Sequence, residues 1–175
     1  MDCEYLREAH KHEKPLPVNP ETLPNRDVPV SEQFLQENEE FLIFLGGSLG
    51  RAALRNPEII DFDIREALEA SIRTHRTLQS GLLYETLPAN PLAAGLCGAL
   101  QKAVAEYRQA EFDRLGMHKT RDGTALGLLV FLQHFELSYN NGRRRGRAFL
   151  DALMDFYPAE PESPPPPPAS SLILP

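Results

Sequence analysis

Between Ser31 and Pro158, apolar residues return at every third or fourth position, and where the return lapses a helix-capping residue or a proline stands in the gap. This is the period of an α-helix, and it constrains the fold more tightly than any other feature of the chain. A helix with one apolar stripe has to bury that stripe against a neighbour. No run alternates apolar and polar residues between hairpin turns, so the neighbours are not strands. The pattern predicts an all-α fold: a compact bundle of about five helices with short loops, formed by residues 31–158 as a single domain.

Caps place the individual helices. Ser31 is a good N-cap, and Val30 with Leu35 has the spacing of a hydrophobic staple. The first predicted helix follows Leu35, Leu42, Leu45, Leu49 and Ala53 to Asn56–Pro57; Gly46, Gly47 and Gly50 weaken it locally but let a neighbour come close. Asp61 or Asp63 caps the second. Its inward stripe runs Ile64, Leu68, Ile72, His75, Leu78 or Gln79, and Leu82, while Arg65, Glu69 and Arg73 form a solvated ladder opposite. Asn90–Pro91 starts the third helix, with Leu92, Leu96, Leu100, Ala103, Tyr107 and Ala110 inward and Gly116 at its stop. Asp122 or Thr124 opens the fourth. It is apolar on almost all faces from Ala125 to Leu132 and is therefore predicted to be the most buried. Asn141–Gly142 supplies its left-handed cap, and a last helix turns Phe149, Leu150, Leu153, Met154 and Tyr157 inward before Pro158 closes it.

The flanks differ in kind. Residues 1–30 hold Pro15, Pro17, Pro20, Pro24 and Pro29 among many charges and predict an extended, flexible acidic arm with one short helix near Glu4–His12. Residues 159–175 form a Pro-rich tail read as disordered, in which Pro164–Pro168 impose a polyproline II rod that joins neither helix nor sheet. Of the chain's net charge of −7, six units fall within residues 1–40, so the rest is nearly neutral. That balance disfavours general affinity for nucleic acid or anionic membrane, though it permits a local basic patch. The N-terminus lacks the apolar core of a secretory signal, and the longest apolar runs fall far short of a bilayer span. Cys3 and Cys97 cannot make a disulfide framework and read as reduced thiols, which suits a cytoplasmic setting.

Four arginines, Arg143, Arg144, Arg145 and Arg147, follow Asn140–Gly142 and precede the last helix. Beside a helix C-terminus cations are well placed; at the start of the next helix they are not, unless an anion intervenes. A phosphate or an RNA backbone there would meet the helix N–H groups near Gly146 together with guanidinium forks. Nearby carboxylates would serve the same purpose, and no GxxxxGK[ST] loop is present. His75 and His134 fall on inward faces, where Glu85, Glu106 or Glu136 would have to complete a metal site. Glu-x-x-His pairs and HExxH are both missing, so they read as hydrogen-bonded core histidines and no metal is expected. His10 and His12, beside Glu8 and Glu13, suit a loose chelate or simply a solvated tail. Cys97, among Ala94, Gly95, Gly98 and Ala99, reads as part of a helix-packing face with no base beside it. Ser80, Tyr84 and Glu85, after the second helix, are positioned to line a cleft.

These residues define no catalytic motif and call for no cofactor. The expectation is a cytoplasmic, non-enzymatic module that acts through protein contacts, with the proline tail as linker or docking peptide. One alternative is a binder of small anions or RNA backbone through the arginine cluster. Another is an enzyme whose site is dispersed over several helices and leaves no local motif. A wide apolar patch, a continuous basic groove, or a deep pocket of converging titratable groups would separate the three.

Overall fold

A computed structural model describes residues 19–158; the expected Glu4–His12 helix, Cys3, the His10/His12 pair and the proline run lie outside this range. After a short 3-10 turn at Pro20–Thr22, six α-helices follow among the described residues: α1 (Glu32–Glu37), α2 (Glu39–Leu54), α3 (Asp61–Gln79), α4 (Pro91–Leu115), α5 (Asp122–Tyr139) and α6 (Ala148–Phe156). No strand is present among them, and the fold is all-α. The main packing partners run in a closed cycle, α3 against α4, α4 against α2, α2 against α6, α6 against α5 and α5 against α3. A single core joins them, with Leu45, Leu49, Ile64, Leu68, Leu128, Leu129, Leu132 and Phe149 almost wholly excluded from solvent.

Several local expectations hold unchanged. The Ser31 hydroxyl accepts the Phe34 N–H at 3.1 Å, the cap expected of it. Asn90 accepts the Leu92 N–H at 3.0 Å with Pro91 in the first turn, and Gly116 ends α4 at φ 70°. On α5 every residue from Ala125 to Val130 is buried. Gly46 and Gly50 do permit close approach. A Cβ at Gly46 would lie 2.9 Å from the Tyr157 ring, and one at Gly50 would overlap Met154, both at the α6 end of the chain.

Other expectations are corrected. The first predicted helix is two, because Asn38 breaks it. Its backbone (φ −118°, ψ 20°) leaves the helical region, and its side chain donates to the Phe34 carbonyl at 2.8 Å. The apolar stripe carries on across the break, which hid it. Neither Asp61 nor Asp63 is the N-cap of α3. Ile60 holds that position, and the Asp63 carboxylate accepts the Ile60 N–H at 2.9 Å. Helix α3 also stops at Gln79, leaving Leu82 outside it and exposed. Arg65 leaves the expected solvated ladder and turns to Glu136 on α5, which is 0% exposed, with Nε–Oε2 at 3.0 Å and Nη2–Oε1 at 3.2 Å. Asn140 Nδ2 donates to the same Oε1 at 2.6 Å. Gly95 and Gly98 are exposed with open space where a Cβ would sit, so of the small-residue segment around Cys97 these two glycines pack on nothing among the described residues, while Cys97 itself is buried in the core. Gly142 has φ 70° but lies beyond the C-cap Asn140, whose own backbone is extended.

The described part of the N-terminal arm, residues 19–30, is irregular yet tied down. Asn25, at φ 57°, adopts the left-handed conformation that Asn tolerates better than most residues. Its Nδ2 donates to Gln133 on α5 at 2.8 Å, and its Oδ1 accepts from Arg76 on α3 at 2.8 Å. Arg76 also grips Asp27 with two bonds of 2.8 Å, and this guanidinium holds the Asp27 carboxyl below the ordinary carboxylate range.

Candidate functional site

Just past the arginine stretch, a carboxylate of the chain itself takes two N–H groups of the helix that follows. Asp61, at the first turn of α3, accepts the Phe149 N–H at 2.9 Å and the Leu150 N–H at 3.2 Å, the free donors at the start of α6. In return, the Gly146 carbonyl accepts the Asp61 N–H at 2.9 Å. The loop consumes more of its own amides. The Gly142 N–H goes to Asn140 Oδ1 at 2.7 Å, the Arg143 N–H to Asn141 Oδ1 at 3.1 Å, and the Gly146 N–H to the Arg143 carbonyl at 3.0 Å. Arg143, Arg144 and Arg145 are exposed, and Arg147 is half-buried with its Nε enclosed and unbonded among the described residues. Asp61 itself is buried, and burial pushes its carboxyl up to about 6 against the pull of the two N–H donors.

The two histidines go to different places. His134 Nε2 lies 2.7 Å from the Pro24 carbonyl and fastens the arm. His75 is buried, with Nδ1 at 2.9 Å from the Ser71 carbonyl. A carbonyl only accepts, so Nδ1 carries the hydrogen and Nε2 keeps its lone pair. Burial holds the His75 pKa below the usual histidine value. The three carboxylates considered with them are committed elsewhere: Glu85 to Gln101 at 2.6 Å, Glu106 to Lys102 at 3.5 Å, and Glu136 to Arg65. Among the described residues no group of three or more His, Cys, Asp or Glu side chains is arranged to hold a metal. Cys97 is a buried free thiol whose Sγ donates to the Ala67 carbonyl at 3.4 Å, and burial pushes its pKa up.

His75 opens instead on a surface cleft of about 890 Å³ between α3, α4, the α3–α4 connector and the loop before α5. Tyr84 and Glu85 line it, as the sequence indicated; Ser80 does not, and its hydroxyl donates to the Arg76 carbonyl at 3.1 Å. The connector is fixed to α3 by several bonds, among them the Leu82 N–H to the Thr77 carbonyl at 2.9 Å. Thr77 Oγ1 donates to the Tyr84 carbonyl at 2.8 Å, and the Thr86 N–H donates to Thr74 Oγ1 at 3.0 Å. That hold turns apolar side chains outward: Leu83 is 93% exposed and Tyr84 67%, with Leu82 and Leu87 exposed beside them. Arg108, His118 and Arg121 complete the cleft and were missed in the sequence, since they lie on α4 and a short loop with no motif to join them. Arg108 Nη2 is bonded to Asp122 at 2.7 Å.

No helix among the described residues is long and apolar enough to cross a membrane. Compared with known protein families, curated proteins and solved structures, the chain has no match.

Proposed function

We propose that this is a non-enzymatic interaction module, working in the cytoplasm, that receives an apolar segment of a partner protein at the α3–α4 cleft. One observation carries the reading: a connector pinned to its own helix holds Leu82, Leu83, Tyr84 and Leu87 in solvent beside a concave surface. Large apolar side chains grouped at a cleft are a standing cost to a lone protein, and a partner that covers them removes it. Several polar groups of the cleft are already partnered within the fold, which favours this over catalysis: Glu85 holds Gln101, Arg108 Nη2 holds Asp122, and His75 gives its Nδ1 hydrogen to the Ser71 carbonyl. Buried Cys97, held as a thiol, supports the reducing compartment.

The test replaces Leu83 and Leu87 with Ser in the full chain. Both are exposed, so the melting transition is expected to stay within about 1 kcal/mol of the parent. A partner captured from cell extract by the parent should be lost by the variant, and a photo-reactive residue at Leu83 should cross-link to it. Capture of the same protein by both forms would sink this reading.

A further inference from the structure

A second cleft, about 710 Å³, runs between α2 and α4, and the chain itself leaves the described fold inside it. The Tyr157 carbonyl lies 4.0 Å from where a Gly47 Cβ would stand, and Pro158 is part of the cleft lining. The floor is aromatic and apolar: Tyr107 stacks on Phe41 at 4.2 Å and tilts against Phe44 at 5.8 Å, with Ile43 47% exposed at the edge. Most of its charges are matched. Arg114 faces Glu40 at 3.5 Å, Glu106 faces Lys102 at 3.5 Å, and Glu111 is taken by the backbone and hydroxyl of Thr120. Arg51 is the exception. It makes no ion pair among the described residues, and its Nε is enclosed with no hydrogen-bond partner.

The residues that come after Pro158 are complementary to each of these features. Glu160 and Glu162 are the first charges, and Pro164 to Pro168 lie just beyond them. Polyproline II segments bind aromatic-lined grooves at little entropic cost, because the helix is pre-formed. The sizes agree as well. Five prolines extend about 15 Å at 3.1 Å per residue, and Glu40 to Arg51 spans about 16 Å of α2 at 1.5 Å per residue. A segment tethered at the groove also meets it at an effective concentration near the millimolar range, which a separate molecule would have to match.

We propose that residues 159–175 fold back along the groove between α2 and α4, with Glu160 and Glu162 at Arg51 and Pro164–Pro168 over Tyr107, Phe44 and Ile43. The groove is thus a binding site for an acidic, proline-rich peptide, and its occupant is the chain's own C-terminal segment. The tail is held in cis, and a competing proline-rich ligand would release it.

The experiment places a photo-reactive amino acid at Ile43 in the full-length protein, with the same group at Leu83, in the other cleft, as reference. On irradiation at low concentration, cross-links from Ile43 should fall within residues 159–175 of the same chain. Their yield should be at least about threefold that from Leu83 and unchanged on dilution, as a tethered contact requires. Arg51→Gln should cut that yield by at least about twofold while the melting curve stays that of the parent, as is usual away from the core. A dimeric adduct that fades on dilution would assign the groove to a second copy and overturn the proposal. So would equal yields from Ile43 and Leu83, or Ile43 products lying outside 159–175.

Discussion

Asp61 shows how one side chain can settle a junction. It is covalently part of α3, yet its two carboxylate oxygens satisfy the first donors of α6, a helix 87 residues later at its start. Asp61→Ala should remove this cap and leave two buried N–H groups unbonded, costing about 1–2 kcal/mol in urea unfolding. The pH dependence has the reverse sign from that of an ordinary salt-bridged carboxylate. Burial raises the folded pKa from 3.8 to about 6, so between these values the folded state binds the proton more tightly than the unfolded one. Its contribution to stability is therefore greatest below about 4, declines as pH rises to about 6, and is constant above that. Asp61→Asn should flatten this part of the stability profile, and an unchanged slope would show that the group does not titrate as described. The sequence offered Asp61 as the cap of its own helix. The residue type was legible and the helix it serves was not, because a capping side chain carries no record of which N–H groups fold back to it.

At the scale of helices, glycine separates local preference from packing. Gly95 and Gly98 lie mid-helix on an open face of α4, so Ala at either position should stabilise the protein by roughly 0.5–1 kcal/mol, the gain in helix propensity. Gly46→Ala gains the same propensity but drives a Cβ to 2.9 Å from the Tyr157 ring, and the net effect should be destabilising by about 1–2 kcal/mol. Thermal melts of the three variants check the contrast; three changes of like sign would refute it. From sequence alone, both groups read as packing faces. Helix starts and stops such as Asn90–Pro91 and Gly116 were legible because their cause is local. The break at Asn38 was not, since Leu35 and Leu42 keep the stripe in phase across it. Arg65 was misread for a related reason: four-residue spacing marks a face but cannot say that Glu136 waits beside it.

For the molecule as a whole, the question left by the arginine loop is one of charge. Arg144 and Arg145 are exposed, so replacing both with Gln should alter stability by under about 1 kcal/mol. Phosphate should then raise the melting temperature of parent and variant equally, since Asp61 already holds the amides at the start of α6. A rise confined to the parent and weakening with salt would instead assign an anion site to these residues. The bundle was legible because every stripe carries its period in the sequence. The cleft was only half legible, through Tyr84 and Glu85, because Arg108, His118 and Arg121 meet there only once the helices cross. The cyclic helix order has a consequence for how the protein is made. Helix α2 emerges early in synthesis, but the helix that covers Gly46 and Gly50 and occupies Asp61 begins only at Ala148. At translation speeds of about 5–20 residues per second, the nascent chain carries an open seam for roughly 5–20 seconds. Through that interval the glycine face of α2 stands without its cover from α6.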